Sequence, residues 1–177
     1  TPVIKDVIQR WPVTFQLGLL AFLIAQLSLP AGVFSALRQG SWGDYVVRVI
    51  AILAIAVPGF WLATMVIVFP SIWWGYMPPI ILVGFAEDPI ANIQMFLVPA
   101  LVLGLGMSGD TMRMSRTMML EVLRQDYVRT AWAKGLRERA VVMRHVLKNA
   151  LIPVVEMIAY KVPIMIGGAV ITEQIFN

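Results

Sequence analysis

Apolar residues in this chain fall into long runs separated by short polar segments. Residues 13–37 carry no charge, although Gln16, Gln26, Ser28 and Pro30 interrupt the run. Residues 49–69 are again uncharged, with Pro58-Gly59 near the middle, and residues 93–109 form a shorter run containing Gly104 and Gly106. A fourth run, residues 151–172, contains Glu156, Lys161, Pro163 and Gly167-Gly168. A helix needs about 20 apolar residues at roughly 1.5 Å rise each to cross a bilayer. The pattern therefore predicts an all-α membrane protein with four spans, the first capped by Thr14. Proline and glycine within such spans are tolerated because neighbouring helices re-satisfy freed backbone groups, and glycines permit close packing. The apolar run Ile80–Phe85 is too short to span.

Charge in the connecting segments sets an orientation. Residues 70–111 hold no Lys or Arg, only Glu87, Asp88 and Asp110. Between residues 113 and 148 lie Arg113, Arg116, Arg124, Arg129, Lys134, Arg137, Arg139, Arg144 and Lys148, while Arg38 and Arg48 flank the first short loop. Basic loops stay on the cytoplasmic side, so both of these face inward and the loop of residues 70–92 faces outward. Four alternating spans satisfy that assignment. Trp73, Trp74 and Tyr76, just past the second span, fit an interfacial aromatic belt, with substrate stacking as the alternative.

Composition agrees with lipid as the solvent. Hydrophobic residues make up 59% of 177 and charged residues 14%, with a mean hydropathy of +0.81, whereas soluble domains are about a quarter charged. The net charge of +4 comes from basic residues gathered mostly between the apolar runs, a distribution that argues against nucleic acid. The absence of cysteine excludes disulfides and thiolate chemistry, and a single histidine, His145, excludes a multi-histidine metal site within the chain. Met107, Met112, Met114, Met118 and Met119 fit apolar gap-filling better than soft-metal ligation. No metal or cofactor site is expected. The opening TPVIKDVIQRWP is not a signal peptide. With no initiator Met and an abrupt stop at Phe176-Asn177, the chain is expected to be part of a longer protein.

The basic segment, residues 113–150, is patterned. Met119, Leu120, Leu123 and Tyr127 share a helical face over residues 118–128, and Gly135 then interrupts. A second helical stretch follows from Ala140 to Leu147, and Pro153 suits the first turn of the next span. Helix, glycine turn, helix and membrane re-entry describe either a docking element for a soluble partner or an interfacial pair held by anionic lipid. The pattern alone leaves both open.

The residues themselves carry a resemblance. Gln125-Asp126-Tyr127-Val128-Arg129-Thr130-Ala131-Trp132-Ala133-Lys134-Gly135-Leu136, followed by Arg144-His145-Val146-Leu147-Lys148-Asn149-Ala150-Leu151-Ile152-Pro153, resembles the cytoplasmic signature of ABC-importer permeases of the dipeptide/oligopeptide branch. Arg38-Gln39-Gly40-Ser41-Trp42-Gly43-Asp44 is similar to that family's first cytoplasmic loop, and Pro58-Gly59-Phe60-Trp61-Leu62 to its following span. Gly167-Gly168-Ala169-Val170-Ile171-Thr172-Glu173 with Phe176-Asn177 resembles the end of its penultimate span. Trp132 stands where the family usually has Arg, and the general E-A-A…G signature is reduced to Arg129-Thr130-Ala131 before Gly135.

The resemblance implies four of about six spans and a multi-pass place in a bacterial or archaeal inner membrane. It implies as partners a pair of cytoplasmic ABC ATPase subunits carrying ATP and Mg, a second permease subunit and an external binding protein, with membrane lipid around the spans. The chain itself has no G-x-x-x-x-G-K-[ST] motif, so it is expected to be a non-catalytic subunit. Docking to the ATPase falls on Arg129, Thr130, Ala131, Lys134, Gly135, Leu136, Arg137 and Arg139. Peptides lead as substrate; nickel, glutathione and oligosaccharides stay open.

Ionisable residues inside a span are functional candidates by default. Lys161 and Glu156 are the tentative translocation-path residues, and their spacing sets them roughly 140° apart on a helix, too far for a direct pair. Lys161 has two readings, a path residue or a partner to an acceptor on another helix. With Asp110 these residues also support an alternative function, an ion-gradient-driven transporter or channel. A non-transporting scaffold is a third possibility.

Overall fold

The structure, a computed structural model, describes residues 2–75 and 83–176. Tyr76 and the 80–82 portion of the short apolar run lie outside the described residues. Among those described, every regular element is helical. In chain order they are α1 (Pro2–Gln26), α2 (Ser28–Leu37), α3 (Trp42–Ala56), α4 (Gly59–Trp74), α5 (Pro89–Leu123), α6 (Asp126–Ala133), α7 (Glu138–Val141), a π-helical turn (Val142–Val146) and α8 (Leu147–Phe176).

Two stretches, Arg10–Leu37 and Pro89–Leu123, are long and apolar enough to cross a membrane. Two broken helix pairs bring the number to four if each pair is one span.

Several boundaries differ from the pattern, each for a local reason. Residues 49–69 are divided between α3 and α4, because Pro58 is extended (φ −61°, ψ 130°), lacks an N–H and disfavours helix at Val57. Thr14 is not a cap: α1 begins well before it, and the Thr14 side chain is buried in mid-helix. The third apolar run is the front of the 35-residue α5. At 1.5 Å per residue α5 is about 52 Å long, more than a hydrocarbon core of about 30 Å requires. Asp88 caps it, its Oδ1 accepting from the N–H groups of Ile90 and Ala91 at 3.0 Å each, with Pro89 in the first-turn position that needs no donor.

The helix expected over residues 118–128 is also broken. Three-residue hydrogen bonds, Arg124 N–H to Glu121 O and Gln125 N–H to Val122 O, close α5, and extended Gln125 opens α6. No second break separates the basic segment from the last apolar run. The helix continues from α7 through the π turn into α8, so Pro153 lies inside α8 rather than in a first turn.

The chain forms two compact units. The first comprises Thr1–Ala25, Ala54–Met107 and Val162–Asn177. Its core is Leu17, Ala21, Phe96, Ala100 and Ala169, packed with Val13, Leu20, Ile24, Met95 and Leu103. Gly104 lets α5 meet α1: a Cβ there would lie 2.8 Å from the Ala21 carbonyl oxygen. Packing is the expectation for Gly104, Gly106 and Gly109 alike, and Gly106 departs from it, with open space around it within the chain.

The second unit comprises Gln26–Leu53 and Ser108–Lys161. Ala36, Met119, Val128, Ala131, Val141, Val142, Val146 and Ala150 make its core. That cluster seats α6 against α5, α7 and the start of α8, which positions the site.

Candidate functional site

Helix α6 has a narrow inner face. Val128 and Ala131 are buried in the core, while Tyr127, Arg129, Thr130, Trp132 and Ala133 are exposed. Spacing of three puts the two buried residues on one side of a short helix. The turn that ends α6 is a Schellman motif. Gly135 N–H donates to Trp132 O at 2.9 Å and Leu136 N–H to Ala131 O at 3.4 Å, with Gly135 left-handed at φ +76°. A Cβ on Gly135 would meet nothing within 4 Å, so backbone conformation rather than space selects glycine.

After the turn, Arg137 is extended and opens α7. Lys134, Gly135, Leu136, Arg137 and Arg139 are all exposed, and with Arg129 and Thr130 they form a basic outer surface around Trp132 and Leu136. Ala131 differs from the others in the docking set: it faces the core. Thr130 Oγ1 is engaged with Asp126 O at 2.9 Å, and Arg129 lies 3.5 Å from the exposed Asp126 carboxylate. An exposed pair of that kind contributes little to stability.

A polar contact ties α6 to α8. The Asn149 amide nitrogen donates to Tyr127 Oη at 2.9 Å and to His145 O at 2.8 Å, and Tyr127 Oη donates to the same carbonyl at 3.3 Å. His145, within the π turn, is partly covered.

The most buried charge in the second unit is one to which the sequence reading gave no role. Asp44, in the first turn of α3, is 1% exposed. Its Oδ1 accepts from Ser35 Oγ at 2.5 Å and Arg116 Nε at 2.8 Å; its Oδ2 accepts from Gly40 N–H at 2.9 Å and an Arg116 terminal nitrogen at 3.0 Å. Arg116 foremost, then Ser35 and the Gly40 N–H, hold this carboxyl well below the usual carboxylate range, against the opposing effect of burial. Arg48 Nε stands 3.5 Å from Oδ1 and its guanidinium stacks 4.4 Å over the Tyr45 ring. The available signal was an acid in the first turn of a helix, just after Ser41 and Gly43.

Lys161 on α8 is 3.0 Å from Asp110 Oδ2 on α5, and Arg113 is 3.7 Å from Oδ1 of the same carboxylate. Glu156 is exposed and is not brought to Lys161. In the first unit Glu173 is buried, with Thr14 Oγ1 at 2.8 Å from one oxygen and Arg10 at 3.7 Å from the other. Gln16 donates to Asn92 Oδ1, and Asn92 donates to Val83 O at 2.7 Å. Trp73 and Trp74 end α4, both exposed, with rings 5.9 Å apart and nearly perpendicular.

Helices long and apolar enough to cross a membrane, with no other regular element among the described residues, make this an all-α membrane protein. Residues 28–177 match the family model described as binding-protein-dependent transport system inner membrane component, and the chain belongs to that family. It is 39% identical over 176 residues, 99% of its length, to a Brucella suis protein whose name assigns it to peptide transport system permeases. It is 36% identical over 184 residues to the oligopeptide transport system permease protein AppB of Bacillus subtilis. Over 202 residues it is 34% identical to the dipeptide transport system permease protein DppB of Escherichia coli. The chain spans 56%, 57% and 59% of those three relatives respectively, a little over half of each.

Proposed function

We propose that the chain is the core of a multi-pass inner-membrane permease subunit in an ATP-driven importer, with peptides as the substrate class. Its membership in the permease family and its likeness to two relatives named for oligopeptide and dipeptide transport support this reading. In it, cytoplasmic ATPase subunits bind ATP and Mg, a second permease subunit completes the path, and an external binding protein delivers substrate.

The observation that carries the mechanism is the exposed basic surface of α6 and its Schellman turn, standing on a buried apolar seat. Arg129, Thr130, Lys134, Gly135, Leu136, Arg137 and Arg139 meet the ATPase; Ala131 holds the helix to its seat. Charge complementarity orients the encounter, and Trp132 and Leu136 supply apolar contact. Closure of the ATPase pair then moves α6, and the spans rock about the path. Lys161 contributes a charge to that path, with Glu156 nearer the cytoplasmic side.

Co-purification of the intact permease with its ATPase subunits tests the docking step. Wild type retains the ATPase, and Gly135→Arg, which distorts the turn and adds bulk to the surface, reduces retention and uptake together. Retention and uptake at wild-type levels in that variant would remove the assignment.

A further inference from the structure

Helix α6 has eight residues, and two of them, Val128 and Ala131, form its buried contact. So small an apolar seat holds the helix by few buried contacts. Among the described residues, Tyr127 is the α6 side chain that hydrogen-bonds outside its own helix. The partners it reaches are unusual. His145 lies inside the π turn Val142–Val146, where the helix carries one residue more than an α-helical repeat accommodates. Asn149 sits one turn further along the same helix, and its amide nitrogen has two N–H groups. One serves Tyr127 Oη and the other His145 O, while the Tyr127 hydroxyl donates to that carbonyl, closing a three-cornered network.

The network joins α6 to the place where α8's own helix is least regular. A π turn that converts to α-helix passes one residue along and rotates what lies beyond it, and short π segments are frequent at functional sites. Displacing Tyr127 would alter the hydrogen bonding of a carbonyl within the turn. We propose that Tyr127 and Asn149 form a latch by which movement of α6 resets the π turn and so the direction of α8. They are positioning residues for ATP-coupled transport. This rests on the reading that α6 docks the ATPase. Because Tyr127 and Asn149 are exposed, their bonds compete with water and add little to folding stability. The latch therefore acts on coupling rather than on assembly.

The test uses the intact transporter in liposomes, with its ATPase subunits and binding protein, and the variants Tyr127→Phe, Asn149→Leu and the two combined. Tyr127→Phe keeps the ring and removes only the hydroxyl. ATPase retention, ATP hydrolysis and uptake are measured together. Both single variants are expected to retain the ATPase and hydrolyse ATP while uptake per ATP falls several-fold, with no further fall in the combined variant. Unchanged uptake per ATP in the single variants, or additive losses in the combined one, overturns the latch. Loss of ATPase retention in Tyr127→Phe would move Tyr127 onto the docking surface and overturn it equally. A wild-type permease that retains no ATPase overturns the docking reading itself, and the latch with it.

Discussion

Arg116 grips Asp44 with two nitrogens, Nε 2.8 Å from one carboxylate oxygen and a terminal nitrogen 3.0 Å from the other. This fork-to-fork pair connects α5 to α3 and, through Ser35 and the Gly40 N–H, to the end of α2 and the first loop. With both charges largely out of water, the pair's net worth against an apolar substitute is small, whereas removing one partner leaves the other uncompensated. Arg116→Met is therefore expected to cost about 3–5 kcal/mol. Thermal unfolding in detergent should show a large loss for Arg116→Met and a clear partial recovery when Asp44→Leu is added. Equal or additive losses would mean that the pair is not coupled.

The same carboxylate sets a pH expectation. Its folded value lies below its unfolded value of about 3.9, so its contribution is fully present above that unfolded value. The contribution declines as pH falls through the folded value. The stability difference between wild type and Asp44→Asn should accordingly stay constant from about pH 8 down to about pH 5. A difference that shrinks within that range would show that Asp44 is not held charged as the geometry requires.

Gly32 is the closest approach within the second unit. A Cβ there would fall 2.5 Å from the Met112 carbonyl oxygen and 2.8 Å from Ser115 Cβ, and the carbonyl belongs to helix backbone that cannot swing aside. Gly32→Ala should separate α2 from α5 at a cost of about 1–3 kcal/mol, as overpacking generally does. Gly59→Ala, with nothing within 4 Å, is the matched control. If both shift the unfolding temperature alike, steric contact is not the cause.

The sequence pattern was informative where solvent decides the outcome and less so where side-chain partners decide it. Uncharged runs mark helices because lipid offers no alternative partner for the backbone, and Gly135 was recognisable because it breaks the apolar spacing that precedes it. Helix ends were harder. Pro58 has an evident signal, although proline is also tolerated within a span, and Gln125, extended before α6, carries none. Long-range polar contacts were the least legible. Asp44 and Arg116 are 72 residues apart and Thr14 and Glu173 are 159 apart, so only folding brings them together.

Gly135 invites a conformational test that separates turn geometry from surface contact. At φ +76° an L-residue is strained by roughly 1–2 kcal/mol, and asparagine is more readily accommodated than a β-branched residue. Gly135→Asn should keep most ATPase retention and Gly135→Val should lose it, although a Cβ at this position meets nothing within 4 Å. Equal loss in both would point to the ATPase packing directly against the glycine.

Lys161 and Asp110 are unequal partners. The Lys161 side chain is 15% exposed and that of Asp110 41%, and Arg113 also stands 3.7 Å from the carboxylate. Lys161→Met leaves Asp110 with both water and Arg113, so the variant should assemble, with its main defect in uptake. Asp110→Asn instead removes the carboxylate facing a mostly buried ammonium, and assembly should suffer more than in Lys161→Met. Combining the two substitutions should restore assembly, since no charge then stands at either position. Size-exclusion profiles of the purified transporter report assembly, and uptake into liposomes reports transport. An assembled Lys161→Met variant with normal uptake would place the charge in the scaffold and take Lys161 off the path.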